Sequence, residues 1–558
     1  MIKATIETTQ RFNTEHTEKH RGPRKESLVL KALLHSASTP CHLRVLRVER
    51  PSLTHREHPA PVNELPSTRD LPVAPASALP ARLFAPIATV LAFAIPAALL
   101  IASGRIPGRV FSDQRVYHEP AIRQFAQQWP RFDLFDYLSA TTPGYHLLLA
   151  TLLRGLDALG LSTLAEAPAT LQTASALITC LWLAIIAWWL TRWTTPARAA
   201  LALLPLATSM YVLQAGAWVL PDNAGWLGVT LMLMLALSPR LSQRHILAAG
   251  LTLLALVFTR QNHLWTASLI VVSAWMSVAP RVNEPWEGSW SEHLTYNAPR
   301  RIARAAFALL ACLPAVLLLA WLVTLWGGLT PPRFHTLHQG FNLATPGFVL
   351  AVVGFGSLIF AGTLWCPVAE AFMEWRRWLI LAAIISLALA LATPTTYSME
   401  AGRWSGLWNI AARLPAIGNY ASVLMVPLAV LGGVVIASCF RRLWMRERIV
   451  ILAALASFSL AQSANAQLWQ RYVEPMVLIL LAYLIARVGH AARTHWRELA
   501  LPILAALAFT AASFSLPATL KGGGLFTWPK VTDTPTEQPF DLPTKPKNRD
   551  LSTQHGAH

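Results

Sequence analysis

Lysine is missing from most of this chain, since none occurs between Lys31 and Lys521. Charge of any kind is scarce, because 13% of the 558 residues are charged whereas 54% are hydrophobic. Soluble domains carry about 25% charged residues and lack repeated apolar runs of ~20 residues. These shortages exclude an ordinary soluble domain. They predict an all-α, polytopic transmembrane helix bundle with about 12–14 spans.

Paired cysteines are also absent. The five cysteines are scattered along the chain, mostly in apolar segments, at Cys41, Cys180, Cys312, Cys366 and Cys439. This spacing supports neither a disulfide framework nor a zinc site. No nucleotide-binding loop is evident, so a transfer reaction by this protein would use a donor that is not a nucleotide. The sequence gives no reason to expect a cofactor.

Polar segments flank the apolar region. Residues 1–82 are rich in Pro, Thr, His and Arg and lack the apolar core of a signal peptide. They are predicted to form a disordered, basic cytoplasmic leader. Residues 521–558 are similarly predicted to be a disordered tail. The transmembrane domain is therefore expected over residues 83–520.

The net charge of +18 would suit a nucleic-acid partner, but the positions of the arginines argue against one. The arginines cluster in every second loop between apolar runs, as the positive-inside rule expects of cytoplasmic loops. Examples are Arg240 with Arg244, Arg300 with Arg301 and Arg304, and Arg441 with Arg442, Arg446 and Arg448. The distribution of charge therefore predicts how the protein is oriented in the membrane. It predicts membrane lipids as partners and no nucleic acid.

The loops between these clusters should lie on the non-cytoplasmic side, and they carry most of the polar chemistry. Their segments are FSDQRVYHEP, VLPDNAGW, FTRQNHLW, PPRFHTLHQGFN, YSMEAGRWSGLWN and LWQRYVEP. The ionisable residues in them include Asp113, His118, Asp222, Arg260, His335, His338, Glu400, Arg403 and Arg471. The distribution of arginines and the placement of these ionisable residues are independent observations, and both assign these loops to the same side of the membrane. We therefore predict one shared site on that face.

The first of these loops, residues 104–143, is expected to be held close to the bilayer. Pro120 suits the first turn of a helix. The apolar residues that follow have the spacing of one helix face: Ile122, Phe125, Ala126 and Trp129. This pattern predicts a helix lying in the membrane interface. The next apolar stretch, GYHLLLATLL, is predicted to dip into the membrane or to pack against the bundle without crossing it fully.

A carboxylate near the headgroup plane, facing arginines and histidines, suits a reaction on a lipid-linked anionic substrate. Arginine presents a fork of donors that matches phosphate oxygens, and histidine can donate a hydrogen bond or a proton to one. The carboxylate of Asp113 can act as a general base toward an incoming hydroxyl. This combination predicts sugar transfer from a polyprenyl phosphate, with positive charge stabilising the leaving phosphate.

Six ordered segments resemble the GT-C membrane glycosyltransferases: SDQRVYHEPAIRQF, SATTPGYHLL, VLPDNAGW, TRQNHLW, FHTLHQGFN and QRYVEPMVL. Within that class the chain is similar to the dolichyl-phosphate-glucose α-1,2-glucosyltransferases, which add the terminal glucose to the lipid-linked oligosaccharide. The resemblance covers residues 105–485. It implies a GT-C fold, a polyprenyl-phosphate hexose donor with glucose favoured, and a glycan or lipid-linked acceptor.

The resemblance also implies roles for particular residues. Asp113 would be the acidic residue of the first loop and the catalytic base. Substrate and donor phosphate would be bound by His118, Asp222, Arg260, Gln261, His335, His338, Arg471 and Tyr472. Arg403, whose loop aligns only loosely with the family, is a further candidate because of its place in an outer loop. The sequence looks bacterial, so the expected location is the inner membrane with the active site facing the periplasm.

Four of the candidate residues also have structural interpretations. Asp113 could be a solvated carboxylate or the anchor of a helix start. Asp222 could cap the helix that begins at residue 223 or 224. Arg260 and Arg471 lie at span ends, where long cations often extend to the interface.

The later loops leave alternatives open as well. His335 and His338 have the spacing of a metal pair, but no third ligand is evident and no metal is predicted. Trp404 and Trp408 are interpreted as part of an interfacial aromatic belt. Sugar stacking on them is the second interpretation.

Two other functions compete with sugar transfer. A transporter or flippase would also bury charges in a bundle of many spans, but it should place ionisable groups near the membrane midplane, often at broken helices. An O-antigen ligase or polymerase would also act on lipid-linked glycans. Such enzymes usually concentrate basic residues in one long late loop, which this sequence lacks.

Overall fold

The computed structural model describes residues 79–103, 113–278, 297–335, 340–489 and 496–519, and most of these residues are helical. Most of the predicted leader, all of the predicted tail and residues 104–112 of the first loop lie outside this part of the chain. Cys41 and His338 also lie outside it. The expected helical architecture is confirmed for the described residues, apart from one short hairpin.

The helices of the first half alternate long apolar segments with short connecting ones. They are α1 (Leu79–Ala102), α2 (Glu119–Gln128), α3 (Gly144–Ala158), α4 (Ser162–Glu166), α5 (Pro168–Leu190), α6 (Pro196–Thr208), α7 (Met210–Ala217), α8 (Asp222–Ala236), α9 (Gln243–Thr259), α10 (Ala267–Met276) and α11 (Ala298–Trp326). A π-helical turn, Asp113–His118, leads into α2, and a 3-10 turn, Gln261–Thr266, leads into α10.

The second half continues in the same way after a 3-10 turn at Pro332–Phe334. Its helices are α12 (Thr345–Ile359), α13 (Ala361–Glu374), α14 (Arg376–Leu391), α15 (Leu407–Ala411), α16 (Met425–Phe440), α17 (Met445–Ser463), α18 (Gln470–Val488) and α19 (Trp496–Thr519). Two antiparallel strands, β1 (Ala416–Ile417) and β2 (Ala421–Ser422), pair in a hairpin. The hairpin is the one departure from the expected all-α class within the described residues.

Four of the described helices are long and apolar enough to cross a membrane: α1, α5, α11 and α19. The count becomes six if two bent pairs are each one span, namely α6 with α7, bent by 69°, and α12 with α13, bent by 111°. The other apolar helices are short, like α16 with its 16 residues, or about 24 Å. Breaks and short helices explain why fewer helices meet this criterion than the sequence has apolar stretches. The larger count of about 12–14 spans stays a prediction.

Helix α18 is the most deeply buried helix of the bundle. Its residues from Tyr472 to Val488 are all buried, and it packs against α6, α12 and α8. Arg471 and Arg487 lie near its opposite ends, about 24 Å apart along the axis. Many arginines that the sequence places in cytoplasmic loops contact elements near the Arg487 end. They include Arg442, which donates to the Val488 carbonyl at 2.6 Å, and Arg446, which donates to Ala236 at 3.1 Å.

The predicted helix of the first loop is present as α2, and its apolar face is buried. Ile122 and Phe125 are fully buried in a small second core with Tyr145 and Leu149 of α3, whereas Trp129 is 44% exposed. This face therefore contacts protein, and the location of α2 in a membrane interface stays a prediction. Helix α3 has 15 residues, about 22 Å. This length is short of the ~30 Å hydrocarbon core, as expected of a segment that does not fully cross.

Candidate functional site

The π-helical turn Asp113–His118 places the first candidate residues. Gln114 in this turn is buried, and its side-chain carbonyl accepts a hydrogen bond from the backbone amide of Val219 at 3.4 Å. Its amide donates to Glu119 at 3.3 Å. The bond from Val219 attaches the turn to the segment that precedes α8, and the bond to Glu119 attaches it to the start of α2.

Asp113 forms an ion pair with Arg471 of α18. The Arg471 Nη1 atom lies 2.7 Å from Asp113 Oδ2, and each side chain is about a quarter exposed, at 24% for the arginine and 25% for the aspartate. Among the described residues, Asp113 Oδ1 makes no hydrogen bond. One carboxylate oxygen is therefore held while the other is open to a further donor.

Arg471 contacts two neighbouring aromatic rings. Its Cζ atom is 4.5 Å from the centre of the Trp469 ring and 4.9 Å from that of Tyr472. Its Nη2 donates to the Tyr472 hydroxyl at 2.9 Å. Its Nε is buried and has no hydrogen-bond partner within the described part of the chain. The guanidinium is thus fixed in position by the protein while a donor remains unused.

A second ion pair, between Asp222 and Arg260, lies beside the first. Both side chains are nearly buried, at 9% and 10% exposure. Helix α8 begins at Asp222 itself, and no side-chain hydrogen bond caps it. The predicted capping role of Asp222 is therefore wrong, because its carboxylate is bonded to Arg260 instead.

Tyr472 joins the two ion pairs. The Arg260 Cζ atom lies 4.9 Å from the centre of its ring, as does that of Arg471. Because arginine over an aromatic face is held by cation–π attraction, one tyrosine ring positions both cations. The structural interpretation expected these two arginines, at span ends, to extend toward the membrane interface. In the structure each of them pairs with an aspartate and contacts Tyr472 instead.

Close backbone packing brings the separate segments to this point. A Cβ atom on Gly144, at the start of α3, would lie 2.6 Å from the carbonyl oxygen of Phe258. A Cβ atom on Gly225 would lie 2.8 Å from Nε2 of His263. Glycine at these two positions lets α3 and α8 approach the end of α9, where Arg260 is located.

His118 lies at the end of the π-helical turn, within the electrostatic reach of both ion pairs. Its Nδ1 lies 2.9 Å from Nε2 of His146, a fully buried residue of α3. Burial is the main reason that the pKa of His118 is lowered to about 4; Asp113 and Asp222 oppose this shift, and Arg471 and Arg260 add to it. His118 is therefore neutral at pH 7.

A small cavity adjoins Arg471 and Asp222, with room for about one water molecule. It is lined by Tyr211, Gln214, Ala215, Leu220, Asp222, Asn223, Trp226, Arg471 and Pro475. The Asn223 amide nitrogen donates to Thr179 and to the Val212 carbonyl, while its side-chain oxygen has no partner among the described residues. Any larger group would require the elements around the cavity to separate.

Glu474 is a further buried acid near the cluster, one turn along α18 from Arg471. It is 6% exposed and accepts hydrogen bonds from the Ser209 hydroxyl at 2.6 Å and from the Gln470 amide at 2.5 Å. No ion pair to Glu474 is found within the described residues. Ser209 is the residue at which α6 and α7 bend, so Glu474 packs against a helix break.

Three predicted binding residues lie outside this cluster. The Gln261 amide donates to the carbonyls of Ala140 at 2.8 Å and Leu329 at 3.1 Å, and its oxygen accepts from the Thr142 amide at 2.9 Å. His335 Nε2 lies 2.9 Å from the Thr330 carbonyl.

Arg403 donates to the Thr396 carbonyl at 2.9 Å within its own loop. These contacts shape loops, and substrate binding by Gln261, His335 and Arg403 stays a prediction. The expected aromatic belt is wrong for Trp408, which is fully buried and stacked on Phe348 at 5.0 Å.

Reasoning from the sequence overlooked His146, Glu474 and Asn223. A signal existed for two of them, since His146 and Glu474 are ionisable residues inside apolar helices, where such groups are costly unless they have partners. Asn223 follows Asp222 directly, and nothing in the sequence distinguishes it from a residue that only begins a helix.

No protein-family model matches this chain, and no curated protein or solved structure matches it significantly. The geometry of the site is therefore the basis for any functional statement.

Proposed function

We propose that the protein is an integral membrane glycosyltransferase of GT-C type that transfers a hexose, with glucose favoured, from a polyprenyl-phosphate donor. The acceptor is a glycan or a lipid-linked molecule on the non-cytoplasmic face. The observation that carries this proposal is the meeting of Asp113, Asp222, Arg260, Arg471 and Tyr472, which come from four separate segments. Four of the described helices are long and apolar enough to cross a membrane.

In this reaction Asp113 acts as the general base. Its free Oδ1 accepts the proton of the acceptor hydroxyl while Arg471 holds Oδ2 in place. The hydroxyl oxygen then forms a bond to the anomeric carbon, and the bond from that carbon to the phosphate oxygen breaks. Arg471 stabilises the leaving phosphate through its Nε donor, which is buried in this structure and becomes accessible when the elements around the cavity separate. Arg260 is held away by Asp222 and contributes positive potential.

The test is transfer by purified protein from radiolabelled prenyl-phosphate hexoses to a lipid extract. The Asp113→Asn variant keeps the size of the side chain and removes the base, so we expect transfer to fall about 10²–10⁴-fold. Asp133→Asn is the matched control, since Asp133 is an exposed acid of the same loop that accepts a hydrogen bond from the Phe135 amide. Equal turnover by the two variants would remove Asp113 from the base role.

Transport of a lipid-linked sugar is the second candidate function, and one observation favours it. Helices α6 and α7 form a bent pair, with the buried Glu474 at the break. Broken helices with ionisable groups are typical of transporters. Glu474, however, lies one turn from the end of α18 and so near one end of the bundle. The test uses lipid vesicles that contain the protein and no acceptor. Movement of the prenyl-phosphate hexose from one leaflet of the vesicle membrane to the other would favour transport over transfer.

A further inference from the structure

Helix α13 turns sharply away from α12, the helix with which it forms one of the two bent pairs. The break is at Phe360, and the directions of the two helices differ by 111°. Because this bend exceeds a right angle, the chain moves back along the axis of α12 as it follows α13. Helix α13 therefore cannot extend a membrane crossing that α12 begins.

One face of α13 is apolar and exposed. Trp365, Ala369, Phe372 and Met373 are all exposed and have the spacing i, i+4, i+7, i+8 of a single helix face. The exposed fractions of the three large side chains are 68% for Trp365, 56% for Phe372 and 79% for Met373. The opposite side of the helix holds its buried residues, which are Leu364, Pro367 and Ala371. The part of the chain that the structure describes leaves this exposed stripe of four residues uncovered.

Two glutamates hold α13 at one end of the bundle. The carboxylate of Glu370 lies 2.7 Å from Arg441 and 2.6 Å from Arg442, and that of Glu374 lies 2.5 Å from Arg441. Arg442 also donates to the Val488 carbonyl, at the end of α18. This end carries arginines that the sequence assigns to cytoplasmic loops, and it is the end of α18 away from the candidate functional site.

Further arginines beside α13 are not balanced by acids. Arg376 and Arg377 are exposed and follow α13 closely, and neither forms an ion pair or a hydrogen bond with another described residue. The Arg376 Cζ atom lies 5.8 Å from the centre of the Phe372 ring, at the end of the exposed stripe. Arg448 lies 4.9 Å from the centre of the Trp375 ring, and its hydrogen bonds go to backbone carbonyls. Since both glutamates of α13 are already paired, these three arginines give this corner an excess of positive charge.

We propose that α13 lies in the membrane surface, with its exposed stripe among the acyl chains and with Arg376 and Arg377 bound to the phosphates of anionic phospholipids. A helix with one apolar face and flanking cations binds at the boundary between headgroups and acyl chains. Tryptophan is enriched at that depth, and each arginine near the surface adds attraction to anionic lipids. The proposal requires that the protein lies in a membrane, and it does not depend on the sugar transfer.

The first test measures the depth of the exposed stripe in a bilayer. A fluorinated phenylalanine replaces Trp365 or Met373, one at a time, in the full-length protein in nanodiscs of phosphatidylcholine and phosphatidylglycerol. ¹⁹F NMR then compares relaxation by dissolved oxygen, which concentrates among acyl chains, with relaxation by a water-soluble nickel chelate. The two positions are eight residues apart, so a crossing helix would separate them in depth by about 12 Å. We expect nearly equal depths instead, about 5–10 Å into the boundary between headgroups and acyl chains.

Ile302 and Leu310 of α11 are the matched control for depth. They are also eight residues apart, and they are 58% and 65% exposed on a helix long enough to cross a membrane. Their depths should differ by about 12 Å. A difference as large at positions 365 and 373 would show that α13 crosses the membrane. Relaxation by the nickel chelate alone would place the stripe in water, and shielding from both reagents would indicate that protein covers it. Each of these three results would overturn the proposal.

The second test concerns the two exposed arginines. Phosphatidylglycerol added to the detergent-solubilised protein should raise the unfolding midpoint more than phosphatidylcholine does, because a ligand that binds only the folded state stabilises it. The double variant Arg376→Gln with Arg377→Gln should need about 10- to 30-fold more phosphatidylglycerol for the same rise.

Arg240→Gln with Arg244→Gln is the matched control for charge. These two arginines are also exposed and are assigned to a cytoplasmic loop by the sequence, so the control removes the same charge. It should keep most of the response to phosphatidylglycerol. An equal response of the wild type to the two lipids, or an equal loss in the two double variants, would overturn the binding of anionic headgroups by Arg376 and Arg377.

Discussion

The two ends of α18 each hold an arginine–carboxylate pair, and the pairs differ in how completely they are satisfied. Arg487 binds both oxygens of Glu447, at 2.9 Å each, and Tyr483 donates to the same carboxylate at 2.7 Å. The side chains of Arg487 and Glu447 are each 5% exposed. Arg471 makes one contact to Asp113, retains an unused donor, and adjoins a cavity.

This difference indicates what each pair is for. A buried bidentate pair leaves no donor or acceptor for a ligand, so the Glu447–Arg487 pair holds α17 against α18. A pair that is a quarter exposed and half satisfied can exchange its partner for a substrate group at small cost. The chain thus places similar residues at both ends of one helix, and within the described residues the pair at the Arg471 end keeps the unsatisfied atoms.

The largest effect is expected from breaking the closed pair. Glu447→Gln leaves the Arg487 guanidinium buried without a counter-charge, and such a change costs about 3–5 kcal/mol. The thermal unfolding midpoint of the detergent-solubilised protein should fall markedly. Glu374→Gln is the matched control, because the Glu374 carboxylate is 58% exposed in its pair with Arg441 and should contribute about 1 kcal/mol or less. Equal shifts in the two variants would contradict the structural role of Glu447.

A smaller and different effect is expected at the open pair. Arg471→Ala should leave the unfolding midpoint close to that of the wild type, since the pair is partly solvated. It should weaken use of the prenyl-phosphate donor about 10- to 100-fold through the loss of a charge-assisted phosphate contact, with less effect on the acceptor. Donor and acceptor KM values measured separately check this. Arg413→Ala, a change at an exposed arginine, serves as the control, and equal effects on donor and acceptor would argue against a phosphate contact.

The smallest expected effect is the pH dependence of stability that arises from His118, which lies beside the Asp113–Arg471 pair. Burial lowers the pKa of His118 from 6.5 to about 4, so between these values the unfolded chain binds a proton that the folded protein does not. The free energy of unfolding should therefore decrease as the pH falls from about 6.5 towards 4, by no more than about 2 kcal/mol at pH 5. Unfolding midpoints at pH 7 and pH 5 measure this. The His118→Gln variant should show a weaker dependence on pH.

Sequence reasoning anticipated which loops would meet. Asp113, Asp222, Arg260 and Arg471 were expected to share one site because each lies in a loop on the arginine-poor side of the bundle. In the structure their side chains do lie together. The pattern could not tell which acid pairs with which arginine. That pairing depends on where α8, α9 and α18 end in space, and loop spacing does not encode it.

The contacts of other side chains could not be read from the sequence. The amide of Gln261, adjacent to Arg260, bonds three backbone groups, and substrate binding by Gln261 stays a prediction. Trp408 was predicted to lie at an interface, but its ring is buried against Phe348. In both cases a local motif gave the chemistry of the side chain and not its direction.

The sequence by itself determined that this protein is helical, poor in charge and rich in apolar stretches, and that its few polar groups belong to particular loops, because composition and periodicity depend only on neighbouring residues. The tertiary structure decided that Tyr472 lies between two arginines, that His146 contacts His118, and that one end of α18 is closed while the other is open. These contacts join residues up to several hundred positions apart, and only the packing of whole helices brings them within hydrogen-bond distance.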